Sequence, residues 1–92
     1  GPAVPRVVFT SNLQRHVSCA ESQVAAGTVR SALAQVFAAQ PQARGYVLDE
    51  QGHLRKHVVI FVDGRRVRDR EQLSDPVHEA SEVYVLQALT GG

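Results

Sequence analysis

The clearest hydrophobic pattern in the chain has a helical period and lies near the middle. Apolar side chains recur at intervals of four, three and one residues, which places them on one face of a helix. These positions are Val29, Leu33, Val36 and Phe37. Thr28, directly before them, is a favoured N-cap residue, and Pro41 follows soon after the pattern stops. The pattern predicts one main helix over residues 28–39.

Strand patterns flank this helix on both sides. The strongest covers residues 57–62 and ends at Asp63-Gly64, a pair favoured in type I′ hairpin turns. A second strong strand pattern covers residues 82–86, and weaker ones cover residues 4–13, 16–24, 45–48 and 65–67. Residues 68–80 are mostly polar, with Leu73 and Val77 as candidate core residues and Asp75-Pro76 as a turn. This order predicts an α+β roll, in which the helix packs across a mixed sheet of four to five strands.

The last two strong strands are apolar on both faces. If Val58, Ile60 and Val62 contact the helix, the residues between them point away from it, and the final strand alternates in the same way. With one predicted helix, the chain has nothing to cover the outer face of the sheet. An uncovered apolar patch usually marks a partner surface. The residues predicted to be partly exposed and to bind a partner are Val59, Phe61, Tyr84 and Leu86.

A group of basic residues surrounds the Asp63-Gly64 turn. It consists of Arg55, Lys56, Arg65, Arg66, Arg68 and Arg70. Five acidic residues are interspersed between Asp63 and Glu79, whereas a nucleic-acid interface would interleave basic with aromatic residues. The pattern favours a solvated hairpin, with a protein contact as the second interpretation and a nucleic-acid contact as the third.

Composition and charge indicate an ordinary globular protein. The chain has 92 residues, 43% of them hydrophobic, and a formal net charge of +1. At this length we expect one domain over residues 1–92, and the balanced charge predicts no nucleic-acid partner. Neither a long apolar run nor a charged-then-apolar leader is present, so we expect no membrane partner. Gly1-Pro2 resembles the remnant of a cleaved tag, and the single Cys19 is typical of the cytoplasm.

Candidate catalytic and metal-binding residues are few. The four histidines are His16, His53, His57 and His78. They show no metal-ligand spacing with one another or with Cys19, and the sequence contains no glycine-rich phosphate loop. We therefore expect no catalytic residue, no metal site and no bound cofactor, and a protein that is not an enzyme.

The chain ends in Leu89-Thr90-Gly91-Gly92, soon after the last predicted strand. Chain ends are usually mobile unless they are docked, so we expect residues 89–92 to form a flexible tail. Because glycine has no Cβ, such a tail can enter a narrow channel. The terminal carboxylate is ionised at neutral pH, with a reference pKa near 3.5, and becomes reactive only when an enzyme activates it.

Together these features resemble the MoaD/ThiS family of sulfur carriers, which have the ubiquitin-like β-grasp fold. The matching features are the strand and turn at residues 57–64, the final strand and the Gly91-Gly92 end. Residues 52–57, which lead into the strand predicted at residues 57–62, are most similar to carriers of the cysteine-biosynthesis type. Family members commonly have Gly-Asp where this chain has Ala80-Ser81, and often have Pro at the position of Gln87.

The resemblance implies a carrier whose chemistry takes place at Gly92. An E1-like adenylyltransferase, using ATP and Mg²⁺, would adenylate the Gly92 carboxylate. A sulfur donor, either a sulfurtransferase or a cysteine desulfurase, would convert it to a thiocarboxylate. A downstream enzyme would take the sulfur for cysteine, molybdopterin, thiamine or a secondary metabolite. A metalloprotease is a further implied partner where the glycine pair must first be exposed by proteolysis.

Two other interpretations use the same features. In the first, the chain is a ubiquitin-like modifier that is joined through Gly92 to lysines of target proteins. In the second, it is a β-grasp binding module whose terminal glycines have no chemical role. Analysis of the product separates the sulfur carrier from the modifier, because a carrier gains sulfur whereas a modifier yields conjugates of high mass.

Overall fold

The computed structural model describes residues 4–9 and 21–87 of the chain. The strands are β1 Arg6–Phe9, β2 Ser22–Gln23, β3 Gly27–Thr28, β4 Val58–Val62, β5 Arg65–Arg66, β6 Pro76–Val77 and β7 Glu82–Gln87. The helices are α1 Val29–Ala39 and α2 Pro41–Val47. A five-stranded sheet has the order β2-β1-β7-β4-β5, and β3 pairs with β6 in a separate two-stranded ladder.

Strand β7 is the centre of the main sheet. It pairs in parallel with β1 and antiparallel with β4, which makes the sheet mixed as predicted. Its inward residues Val83 and Val85 are fully buried. A parallel neighbour requires a long crossover connection, and the chain between β1 and β7 supplies both helices and the β4–β5 hairpin.

Helix α1 confirms the predicted main helix. Thr28 is its N-cap, and its hydroxyl accepts a hydrogen bond from the Ser31 N–H at 3.1 Å while the Ser31 hydroxyl accepts one from the Thr28 N–H at 3.0 Å. These reciprocal bonds satisfy two backbone donors that a helix start otherwise leaves open. Two more, from Val29 and Arg30, donate to the carbonyls of Asp75 and Leu73, both at 2.9 Å. The polar segment 68–80 is thereby fixed to the start of the helix.

The helix packs on the inner face of the sheet as predicted. Val29, Leu33, Val36 and Phe37 share one buried cluster with Val58, Ile60, Val83 and Val85, and Val62 packs against it. Leu73 and Val77, the two apolar residues of the polar segment, are also buried in this cluster. The prediction that they are core residues is confirmed.

Helix α2 corrects the strand predicted over residues 45–48. Pro41 occupies the first turn of this helix, where its missing N–H and fixed φ are well tolerated. Ala43 and Val47 are four residues apart and both are fully buried, so they form the short inner face of the helix. Only Leu48 is extended, in an isolated bridge to Leu54.

The Asp63-Gly64 turn confirms the predicted hairpin. Both residues have positive φ, 52° and 81°, as a type I′ turn requires. Pro76, predicted as part of a turn, lies instead in the short strand β6 opposite Thr28. The second predicted strand is seen as Ser22–Gln23, and its earlier residues lie outside the described ranges. No helix within those ranges is long and apolar enough to cross a membrane.

Candidate functional site

The outer face of the main sheet is organised by a row of four residues on four neighbouring strands. Val8 pairs with Tyr84, Tyr84 with Phe61, and Phe61 with Arg66. Side chains of directly paired residues point to the same side of a sheet. We call Val8, Tyr84, Phe61 and Arg66 the outer row. Leu86 and Val59, which pair with each other, lie beside it on the same face.

Exposure along this face is uneven. Tyr84 is 37% exposed, and Phe61 and Leu86 are partly exposed. The predicted exposure of these three is therefore found, while their role in binding a partner stays a prediction. Helix α2 does not cover them, because its buried residues Ala43 and Val47 belong to the inner cluster.

Val59 is the exception, and the prediction that it is partly exposed is wrong. It is only 5% exposed, yet it is not part of the inner cluster. The cause is its neighbours, since the longer Leu86 lies directly across the ladder and Phe61 lies two residues along the same strand. Side chains at these spacings are within contact distance. Val59 therefore lies beneath its larger neighbours on the outer face and presents little surface to a partner.

Val8 belongs to the outer row but was missed by the sequence argument. It is partly exposed and lies next to the exposed Tyr84. The signal was available, because Val7, Val8 and Phe9 are all apolar and adjacent residues on a strand point to opposite faces. Strand β1 therefore has apolar residues on both faces, as β4 and β7 do.

Charges at the far end of this face are paired. The Arg6 guanidinium donates to Glu21 at 3.1 Å and also to Glu82, its directly paired neighbour on β7. The hydrogen bond that Arg6 donates to Glu21 is the main cause that raises the pKa of Arg6, and Glu82 contributes less. Pairs this exposed add little stability. The Tyr84 hydroxyl also donates to Glu82, at 3.4 Å, so the part of the outer row that is left for a partner is its apolar surface.

A hydrogen-bonded contact fixes the β4–β5 turn to the start of β7. The Asp63 carboxylate accepts from the Glu82 N–H at 2.9 Å and from the Ser81 hydroxyl at 2.8 Å, and the Asp63 N–H donates to the Glu82 carbonyl at 2.9 Å. The Glu82 bond first, and the Ser81 bond second, lower the pKa of the Asp63 carboxyl. The hairpin and the central strand are thus held in one arrangement.

Ser81 has a structural role at the position where the resembled family commonly has Asp. It is 2% exposed, and its hydroxyl accepts from the His78 N–H at 2.8 Å while donating to Asp63. Because this buried hydroxyl both donates and accepts, it avoids the cost of an unsatisfied buried polar group. The departure from the family pattern is therefore accommodated within this turn.

Strand β7 is described as far as Gln87, which pairs with Val58, while Leu86 pairs with Val59. Leu86 is thus the outer-face residue of β7 nearest to the last described residue. Gly92, the predicted reactive residue, and the other predicted tail residues Leu89, Thr90 and Gly91 lie outside the described ranges, as do Cys19 and His16. A protein covering the outer face would lie next to the point where the tail begins.

No metal-binding group of three or more His, Cys, Asp or Glu side chains is found among residues 4–9 and 21–87. Of the histidines in those ranges, His53, His57 and His78 are all exposed. None of the hydrogen bonds recorded there joins a histidine side chain to a nucleophile.

Comparison with known proteins gives one family and a set of similar structures. The sequence profile of the ThiS family matches residues 12–92. SAMP1 from Haloferax volcanii is 19% identical with a TM-score of 0.79, and the alignment covers 96% of this chain and 98% of that chain. CysO from Mycobacterium tuberculosis is 19% identical with a TM-score of 0.77, covering 92% of this chain and 99% of that chain.

A third similar structure is the BexX/CysO complex from Amycolatopsis orientalis. It is 19% identical with a TM-score of 0.78, covering 96% of this chain and 99% of that chain. No curated protein sequence matches the chain. These likenesses show a β-grasp fold, which confirms the fold class expected from the sequence.

Proposed function

The chain belongs to the ThiS family, and from this premise we propose that it is a sulfur carrier whose reactive group is the carboxylate of Gly92. The observation that carries the proposal is the family match, which spans most of the chain and runs through Gly91-Gly92. Members of this fold group are ubiquitin-like carriers or modifiers. The finer statement, that this chain carries sulfur as a thiocarboxylate, is our proposal.

The proposed chemistry occurs in two steps, both catalysed by partner enzymes. A carboxylate oxygen of Gly92 attacks the α-phosphorus of ATP, and pyrophosphate leaves to give an acyl-adenylate. In the second step, a sulfurtransferase or a cysteine desulfurase supplies the sulfur as an enzyme-bound persulfide, whose terminal sulfur attacks the acyl carbon as AMP leaves. A thiol then cleaves the resulting acyl disulfide, which releases the thiocarboxylate and leaves that thiol in a disulfide with the donor enzyme. ATP and Mg²⁺ belong to the E1-like enzyme, so this chain acts as a carried substrate rather than as the catalyst.

The tail supplies access rather than catalysis. Two residues without Cβ let the main chain enter a narrow active-site channel. Ordering a mobile tail has an entropic cost of roughly 1–2 kcal/mol for each residue. That cost must be offset by contacts made elsewhere on the chain, and the tail is too short and too polar to supply them.

We propose that the outer face supplies those contacts by docking the E1-like enzyme. Phe61, Tyr84 and Leu86 present apolar surface that no other part of the described chain covers, and aromatic residues often dominate binding energy at interfaces. Leu86 also lies next to Gln87, the last described residue before the predicted tail. The Amycolatopsis orientalis structure is a complex of BexX with CysO, and by analogy we expect this chain to bind partner enzymes. The sulfur would go to cysteine, molybdopterin, thiamine or a secondary metabolite.

A second candidate function is protein modification through Gly92. It is supported by the similarity to SAMP1 from Haloferax volcanii and to a structure named small archaeal modifier protein 1 from the same organism. The same activation would serve this function, and the acyl-adenylate would pass to a lysine amine instead of to sulfur.

Intact mass spectrometry of the protein recovered from its native host separates the two functions. A carrier should show an added mass equal to sulfur replacing oxygen, located at Gly92 by fragmentation. A modifier should instead be found in high-mass conjugates that an isopeptidase reverses. Protein that is entirely in the plain carboxylate form, under conditions where a partner enzyme and sulfur donor are present, would contradict both.

A further inference from the structure

A basic cleft lies beside the Asp63-Gly64 turn. It has a volume of about 530 Å³ and is formed by the β4–β5 hairpin and by the segment leading into and out of β6. Its charged and titratable lining residues are Asp63, Arg65, Arg66, Arg68, Asp75 and His78. We call this site the hairpin cleft.

Both carboxylates in the hairpin cleft already accept hydrogen bonds from neighbouring loop residues. Asp75 accepts from the N–H groups of Arg68 and Asp69, each at 2.9 Å. Asp63 accepts from Glu82 and Ser81, as described above. Neither acid forms an ion pair with a cleft arginine, because the ion pairs found in the described ranges are both made by Arg6. The two acids therefore fix the loops and leave the arginine side chains without counter-ions.

The cleft arginines differ from most others in the chain. Arg6 is paired with carboxylates, and Arg30, Arg55 and Arg70 each donate to backbone carbonyls. Within residues 4–9 and 21–87, the guanidinium groups of Arg65, Arg66 and Arg68 make no hydrogen bond or ion pair. All three are exposed. Three unpaired guanidinium groups around one concavity form a site with unused capacity for carboxylates.

The hairpin cleft is continuous with the outer row. Arg66 is a member of both, and it pairs directly with the partly exposed Phe61. A protein that covers Phe61 and Tyr84 can therefore contact the hairpin cleft as part of the same interface. Apolar contact at the centre with charge complementarity at the edge is a common arrangement of protein interfaces.

We propose that the hairpin cleft binds an acidic segment, rich in Asp or Glu, of the protein that docks on the outer face. Guanidinium groups bind carboxylates through paired hydrogen bonds, and several arginines spread around one concavity match several carboxylates along a peptide. The identification of that protein as the E1-like enzyme rests on the proposed function. The binding of an acidic peptide does not.

Two observations favour a peptide over a nucleic acid. The cleft lining contains no Phe, Tyr or Trp, whereas single-stranded nucleic acid is usually bound by stacking on such side chains together with positive charge. In addition, Asp63 and Asp75 are fixed within the cleft and would repel a continuous phosphate backbone. A peptide can place neutral residues opposite them.

The test is an NMR titration of the full chain with an octaglutamate peptide. We expect the largest shifts at the backbone amides of Arg65, Arg66 and Arg68, and an affinity that falls as salt is raised. The variant R65Q/R68Q should bind about tenfold more weakly, through loss of two charge-assisted contacts. Retention of charge in R65K/R68K should restore part of the affinity.

The matched control is R44Q/K56Q, which removes two exposed basic side chains outside the hairpin cleft. It has the same net charge as R65Q/R68Q, and we expect its affinity for octaglutamate to stay within about twofold of the unsubstituted chain. Equal losses in the two variants would show non-specific attraction and overturn the proposal. Dispersed amide spectra of both variants will verify that each is folded.

Two further probes test the class of ligand. Inorganic phosphate that binds as tightly as octaglutamate would show a simple anion site, and tighter binding of a thymidylate oligonucleotide would show a nucleic-acid site. Either result would overturn the peptide proposal. With the E1-like enzyme, R65Q/R68Q should raise the KM for the carrier and leave kcat unchanged. Failure of the unsubstituted chain to be activated would contradict the proposed function alone.

Discussion

The two faces of the main sheet are built from the same strands but differ in what covers them. On the inner face Ile60, Val83 and Val85 are fully buried beneath helix α1. On the outer face Phe61 and Tyr84, their immediate neighbours along the chain, remain open to solvent to different degrees. Strand alternation thus separates two roles, since one set of residues stabilises the fold and the adjacent set is available to a partner.

This difference is most directly tested with two phenylalanines, one on each side of the sheet. Phe37 of α1 is 8% exposed and belongs to the inner cluster. We expect Phe37→Ala to reduce the free energy of unfolding by about 3–5 kcal/mol, because it removes a buried ring and leaves a cavity. Urea denaturation followed by circular dichroism measures this value. A loss below about 1 kcal/mol would contradict the proposed packing of the inner face.

Phe61→Ala is the matching change on the outer face. Since Phe61 is only partly buried and lies outside the inner cluster, we expect a stability loss of about 1 kcal/mol. The same variant should bind the E1-like enzyme at least fivefold more weakly, a loss of about 1 kcal/mol or more. Calorimetric titration of both phenylalanine variants at a temperature where each is folded gives the comparison. Unchanged binding by Phe61→Ala would remove the outer face from the docking role.

Asp63 tests whether the hairpin is held to the central strand by charge. We expect Asp63→Asn to be less stable by about 1 kcal/mol at neutral pH, because it weakens the bonds from Glu82 and Ser81. The folded-state pKa of Asp63 lies below its ordinary value of 3.8. Its stabilising contribution is therefore complete above that ordinary value and is lost as the pH falls through the folded-state pKa.

The measurement is the free energy of unfolding of both proteins between neutral pH and about pH 2. The difference between them should vanish at the acid end. Glu79→Gln is the control, because Glu79 is exposed and its carboxylate makes no hydrogen bond within the described ranges. A difference for Asp63→Asn that persists unchanged through acid would mean that its effect is steric rather than electrostatic.

Gly91 should show the smallest effect on stability. A bulky change there, Gly91→Trp, should leave the melting temperature unchanged, because we expect the tail to contribute nothing to the core. It should nevertheless block activation, since the side chain would have to enter the channel with the backbone. Glu79→Trp, at an exposed position on a loop, is the control for a bulky surface residue. Normal activation of Gly91→Trp would show that the channel does not require glycine.

The sequence predicted the features that depend on local pattern. The start of α1 followed from Thr28 and the spacing of Val29 and Leu33, and the hairpin followed from Asp63-Gly64. Both rest on interactions between residues close in the chain. The two apolar faces of β4 and β7 were equally visible, because alternation alone assigns residues to opposite sides.

Features that depend on distant residues were harder to predict. Helix α2 has only Ala43 and Val47 as its inner face, too few positions to establish a helical period, and its Gly45 is a poor helix former. The burial of Val59 depends on Leu86 across the ladder. The arginines of the hairpin cleft have no counter-ion because Asp63 and Asp75 bind other groups. The order of charged residues in the sequence does not reveal those partners.

The proposed sulfur-carrier function depends on activation of the Gly92 carboxylate by the E1-like enzyme. ATP–pyrophosphate exchange with that enzyme, comparing the chain ending at Gly92 with one extended by a single alanine, tests it most directly. We expect exchange with the first and none with the second, because the extension moves the carboxylate beyond its position in the channel. Undiminished exchange by the extended chain, shown by intact mass to be untrimmed, would contradict the claim.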